Sequence, residues 1–135
     1  MSERILPIVD ELNRPFWDGC RAGRLSVQRC ANCSRLRYPI SPVCPFCLGR
    51  ECTWQPLAGN GIVYTFAVFR HAYNEAWRDR VPYTVAIVEL DEGVMMIGDL
   101  VGIAPEDVGV GMPVRVDFEP ATEEIVIPRF VSAEA

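Results

Sequence analysis

The apolar positions fall into two regimes that meet near Gly59. Upstream, Val9, Leu12, Phe16 and Cys20 recur at three- and four-residue steps, which places them on one face of a helix. Pro15 interrupts the run but suits the first turn of a new helix, and Gly23 is a natural stop. Residues 1–23 are therefore predicted to form two short helices, over 7–13 and 15–22. A short strand follows at "LSVQR" (25–29) and another at "ECTWQPL" (51–57). Pro39, Pro42 and Pro45 lie between them and favour loops. From Gly59 onward, Val, Ile, Phe and Tyr dominate five runs: "GIVYTFAVFR" (61–70), "YTVAIVEL" (83–90), "VMMIGDLV" (94–101), "PVRVDFE" (113–119) and "EIVIPRF" (124–130). "DEG", "GVGMP" and "EPATE" mark turns between the later runs.

Five antiparallel strands in so short a stretch, with no long helix among them, fit a small closed barrel. The OB-fold is the common five-stranded solution, and closure removes exposed sheet edges. The final "SAEA" is expected to fray. With 135 residues, half of them apolar, the chain suits one domain or two small modules sharing a core. No apolar run approaches ~18 residues, which argues against a membrane-crossing helix. The start of the chain carries acids and no apolar signal-type core, so a cytoplasmic location is expected.

Charge is unevenly spread. Residues 1–57 carry eight Arg against five acids, and residues 58–135 carry five Arg against thirteen acids; there is no Lys. The acidic second half argues against a nucleic-acid-binding surface. The positive first half is either ordinary solvated surface or a site for phosphates or an acidic partner.

The strongest chemical signal is "CANCSRLRYPISPVCPFC", which holds four of the six cysteines as two Cys-x-x-Cys pairs. One such turn supplies two thiolates, and two turns on neighbouring hairpins complete a tetrahedral shell. Cys30, Cys33, Cys44 and Cys47 are thus predicted to hold a structural metal ion, zinc or, with the same ligands, rubredoxin-type iron. Reduced buried pairs and a redox Cys-x-x-Cys are the alternatives, but the redox reading needs a βαβ context that is missing. A shell of four protein thiolates leaves no open position to activate water. Ser34 stands where Gly would be easier, so strain is expected there, while Gly49 suits the tight backbone of the second turn. The expected organisation is helices over 1–24, a zinc ribbon over 25–57 and the barrel over 58–135.

Cys20 is expected in the core, and Cys52 lies near the ribbon without a partner. His71, the single histidine, reads as a surface residue. No nucleophile elbow, phosphate loop or dinucleotide fingerprint is found, and no acid–base set is recognisable, so the sequence argues for binding rather than catalysis. Phe16 and Trp17 are adjacent on a helix, so one of them must point away from the core. Tyr73 and Trp77 fall in the loop between the first two barrel strands, a ligand-contacting loop in OB-folds. Packing and a partner surface both remain open for these aromatics.

The order of "LSVQRCANCSRLRYPISPVCPFCLG", "GNGIVYTF", "VPYTVAIVELDEGVMMIGDLVG" and "VGVGMPVRVDFE" resembles the rubredoxin-like zinc ribbon plus OB-fold family associated with acyl-CoA metabolism. Its members are encoded beside, and complexed with, thiolase-fold proteins. The resemblance implies a non-catalytic accessory subunit in a hetero-oligomer with a thiolase-like acyl-CoA enzyme; charge and apolar run length lead us to expect no nucleic-acid or membrane partner. Contact with acyl-CoA itself is a further option. Arg21, Arg24, Arg29, Arg35 and Arg37 are then candidates for the CoA phosphates, and Phe16, Trp17, Tyr73 and Trp77 for the CoA or partner surface. A single-strand nucleic-acid binder and a stand-alone thioesterase are the competing readings.

Overall fold

The computed structural model describes residues 6–133. Among the described residues a single α-helix, α1 (Arg14–Arg21), leads into two sheets. Strands β1 (Leu25–Cys30), β2 (Leu36–Arg37) and β3 (Cys52–Leu57) form an antiparallel sheet in the order β2-β1-β3. Strands β4 (Asn60–Phe69), β5 (Tyr83–Leu90), β6 (Met95–Leu100), β7 (Pro113–Pro120) and β8 (Val126–Ser132) close a barrel in the order β4-β5-β6-β8-β7. The chain is mainly β, with the ribbon expected from the cysteine pairs and the five-stranded barrel expected from the apolar runs. The expectation of five antiparallel strands fails at one seam, where β8 closes against β6 in parallel, at Leu100 and Phe130. None of the described helices is long and apolar enough to cross a membrane.

The expected helix over 7–13 does not form. Asp10 and Asn13 take each other's backbone N–H groups onto their side-chain oxygens, at 2.8 and 2.9 Å, and the Asn13 amide donates to Ile8 O. Such local bonds compete with helix. Residues 1–5 of the expected helical span lie outside the described residues. The second helix starts at Arg14, with Pro15 in its first turn as the fixed φ of proline favours, and buries Phe16, Gly19 and Cys20 at helical spacing. It ends in paired bonds, Arg24 N–H to Gly19 O and Gly23 N–H to Cys20 O, with Gly23 at φ 77°. That is a Schellman stop, which needs a left-handed residue where Gly23 stands.

The expected β8 was placed two residues early, and β2 was not foreseen. Rather than fraying at Ser132, the chain keeps pairing: β8 runs to Ser132, and Ala133 N–H donates to Pro113 O at 3.1 Å. Residues 134–135 lie outside the described residues. In the barrel, Val63, Val88, Met96, Val114 and Phe130 point inward and are fully buried. Phe16, Cys20, Leu25, Val27 and Leu57 join the same apolar cluster, so α1 and the first sheet share a core with the barrel.

Candidate metal centre

The two Cys-x-x-Cys turns are built alike. In the first, Cys30 N–H donates to Arg35 O and Ser34 N–H donates to Cys30 O, both at 2.9 Å. In the second, Cys44 N–H donates to Gly49 O at 2.8 Å and Leu48 N–H to Cys44 O at 2.9 Å. Each turn carries one left-handed residue, Ser34 at φ 66° and Leu48 at φ 65°. The strain expected at Ser34 is therefore matched at Leu48, and an L-residue in that region costs about 1–2 kcal/mol. Gly49 does not relieve it. Its role is steric: a Cβ there would sit 3.3 Å from Cys47 Sγ and 3.5 Å from Cys30 Sγ.

These turns bring four sulfurs to within 4.8 Å of one another. Cys30 Sγ and Cys47 Sγ are 3.4 Å apart, and Cys33 Sγ and Cys44 Sγ 3.7 Å. A tetrahedral ion with Zn–S bonds of ~2.3 Å separates its sulfurs by ~3.8 Å, so the cluster has the dimensions of one tetrahedral site. All six cysteines are free thiols. Amide N–H groups already point at the sulfurs: Asn32 and Cys33 donate to Cys30 Sγ, and Gly49 to Cys47 Sγ, each at 3.4 Å. Such bonds favour the thiolate form that a metal requires.

The electrostatics follow from that arrangement. The Cys33 N–H chiefly holds the Cys30 thiol below its ordinary range, and the Asn32 side chain does so for Cys47. For Cys44, burial is outweighed by the Phe46 and Cys47 amides, and its thiol is also lowered. The Arg35 amide pulls Cys33 down, but burial and the three neighbouring sulfurs push it up to about 11. Four thiolates this close repel one another, and a divalent cation at their centre removes the conflict. Asn32 and Gly49 belong to this centre; Gly49 is the residue expected in the tight second turn, whereas only the shortness of the first Cys-x-x-Cys turn hints at Asn32 in the sequence. Arg35 lies 4.7 Å over the Phe46 ring beside it.

Cys52 pairs with Cys30 across β1 and β3, outside the cluster, and its sulfur accepts from Gln28 Nε2 at 3.5 Å. Cys20 lies in the core beneath α1, where burial pushes its thiol up to about 12.

The remaining candidates separate by exposure. Phe16 is 2 % exposed and packs edge-on against Trp17, so it offers nothing to a partner; Trp17 is half-buried. Arg37 is 4 % exposed, which removes it from any phosphate-facing surface. Its guanidinium donates to Gln28 Oε1 and Ser41 O, fixing the loop that carries Pro42 toward Cys44. Arg29 is held by Gln55 Oε1 and Ser34 O. Arg21, Arg24 and Arg35 are exposed. Tyr73 is 81 % exposed and meets the exposed His71 edge-on. Trp77 instead lies against Tyr83, with ring centroids 4.6 Å apart, and with Arg80 and Asp99 it lines an open cleft of about 290 Å³.

Two family models match the chain. One, described as the ChsH2 rubredoxin-like zinc ribbon domain, covers residues 17–52; the other, the ChsH2 C-terminal OB-fold domain, covers residues 54–119. A probable enoyl-CoA hydratase alpha subunit of Thermomonospora curvata is 39% identical over 124 residues, which are 92% of this chain and 38% of that protein. The chain thus spans under two fifths of that relative's length. A DUF35 domain-containing scaffold protein of Methanocaldococcus jannaschii is 37% identical over 97 residues, 71% of this chain and 68% of the relative. Among solved structures, a chain of the "Ltp2-ChsH2(DUF35) aldolase" superposes with a TM-score of 0.84 at 38% identity, covering 95% of this chain and 99% of that one.

Proposed function

The chain belongs to the ChsH2-type DUF35 family, a rubredoxin-like zinc ribbon joined to an OB-fold barrel, and from that premise we propose that it is a non-catalytic accessory subunit of an acyl-CoA enzyme. The observation that carries this reading is the end-to-end likeness to the ChsH2(DUF35) chain of an aldolase named for two components. The partner is a thiolase-fold or related acyl-CoA enzyme that supplies its own nucleophile and base. The hydratase activity named for the longer relative is not carried over, because most of that protein has no counterpart here.

Cys30, Cys33, Cys44 and Cys47 would hold one zinc ion through four thiolates, which fits the sulfur spacing and the amide donors around it. Bound there, zinc supplies folding free energy, on the order of 10 kcal/mol in small modules. The chain's own residues do the rest. Arg37 and Gln28 brace the loop into the second turn, and the shared core fixes the ribbon against the barrel. If CoA itself is touched, the exposed Arg21, Arg24 and Arg35 are the side chains free to meet its phosphates.

The test is co-purification. A tagged chain expressed in its native source should recover a thiolase-fold acyl-CoA enzyme in fixed ratio, whose turnover falls when the chain is withdrawn. Recovery of no acyl-CoA enzyme, or acyl-CoA turnover by the isolated chain, would overturn the reading.

A further inference from the structure

The outer wall of the barrel at β4, β5 and β6 is not built like a solvent face. Antiparallel strands with one wet side alternate apolar and polar residues. Here the inward Ala86, Val88 and Met96 are buried, yet of their outward neighbours Ile87, Met95 and Ile97 are apolar, with Glu89 the charged exception. Register sets Ile62 opposite Glu89 and Glu89 opposite Met95; one row along, Ile87 faces Ile97. Tyr64 stands in the irregularity between Val63 and Thr65, on the solvent side. Ile97 is 59 % exposed, Tyr64 55 %, Ile62 41 % and Met95 37 %. Contiguous apolar side chains from three adjacent strands mark a surface that something covers.

Charge selects the occupant. Strands β4, β5 and β6 contain no Arg or Lys, and their charges are Glu89 and Asp99. Glu89 is exposed on the middle strand, between Ile62 and Met95. Because Glu89 stands on the middle strand, a two-fold pairing centred on this face would set the two Glu89 carboxylates near each other, a like-charge contact. An anionic membrane surface is repelled by a segment with thirteen acids against five Arg over 58–135. An apolar patch on another protein, with an Arg or Lys opposite Glu89, satisfies both features. We propose that this face is where the chain docks on its acyl-CoA enzyme, a proposal that rests on the accessory-subunit reading above.

The experiment takes the acyl-CoA enzyme recovered by co-purification, re-expresses it alone, and measures its binding to the zinc-loaded chain by calorimetry. Ile97→Lys should weaken binding about thirtyfold or more, the loss of a central interface anchor. Glu89→Arg should weaken it about tenfold or more through charge repulsion. Glu124→Lys, a charge change at another exposed position, in the turn between β7 and β8, should leave binding within about twofold. Should Ile97→Lys prove unfolded by circular dichroism, Glu89→Arg decides alone, since its side chain lies in solvent. Wild-type binding by both variants overturns the docking face and leaves the accessory reading standing; recovery of no acyl-CoA enzyme overturns both. A wild-type dimer in ultracentrifugation that Ile97→Lys dissociates would assign the face to a second copy instead. Flotation with phosphatidylcholine vesicles, abolished by Ile97→Lys, would assign it to lipid, and either result refutes the proposal.

Discussion

Replacing Gly49 by Ala adds a single methyl group at the most crowded point of the metal centre. The backbone there lies outside the left-handed region, so the substitution carries no conformational penalty. Its whole effect is steric. The new Cβ would sit 3.3 Å from both Cys47 Sγ and Asn32 Cβ and 3.5 Å from Cys30 Sγ. The approaches to Cys47 Sγ and Asn32 Cβ are tighter than ordinary contact, so these neighbours must give by a few tenths of an ångström, while Cys30 Sγ is met at ordinary contact distance. Cys30 and Cys47 are already the tighter pair, at 3.4 Å, and the methyl pushes Cys47 Sγ out of its place in that pair. Perturbing the atoms that orient metal ligands typically lowers affinity about 10–100-fold, or about 1.4–2.7 kcal/mol. Zinc competition against a chromophoric chelator measures that directly. Gly109→Ala is the matched control, because a Cβ there meets no atom within 4 Å. Unchanged zinc affinity for Gly49→Ala, alongside unchanged affinity for the control, would refute the assignment of these sulfurs to one ion.

Three other substitutions or modifications probe the rest of the chain. Gly61→Ala sets a Cβ 2.4 Å from Glu89 O, at the residue where β4 pairs with both β5 and β7. Overpacking against backbone costs about 3 kcal/mol, which lowers the melting midpoint by roughly 10 °C in a chain of this size; a wild-type melt would contradict the closed barrel. Phe130→Ala removes a side chain that is 1 % exposed and should cost about 3–5 kcal/mol in denaturant unfolding. Cys20 should resist iodoacetamide at pH 8 in the folded chain, because burial holds its thiol near 12 and the reactive thiolate scarcely forms. Peptide mapping that finds Cys20 alkylated before unfolding would show that α1 does not cover it.

The sequence made the centre legible because its chemistry is local. Two Cys-x-x-Cys pairs declare their ligands within a turn, and the barrel strands appear as long β-branched and aromatic runs. "YTVAIVEL" became β5 residue for residue. What escaped the reading depends on partners distant in the chain. Arg37 looks like any exposed basic residue until Gln28 and the Ser41 carbonyl enclose it. The two residues of β2 carry no period and become a strand through pairing with Gln28 and Arg29. The apolar spacing around residues 7–13 suggests a helix, but the reciprocal bonds of Asp10 and Asn13 override it. Apolar runs in β4, β5 and β6 are visible to the eye, yet only the register reveals that both faces of that wall are apolar.

The proposed accessory role needs the ribbon's ion to be held by four thiolates and by nothing else. Zinc-edge X-ray absorption of the purified, zinc-loaded chain tests this most directly. The expected first shell is four sulfur scatterers at ~2.3 Å and nothing lighter. A nitrogen or oxygen scatterer in that shell would mean an exchangeable position at the ion, and would contradict that role.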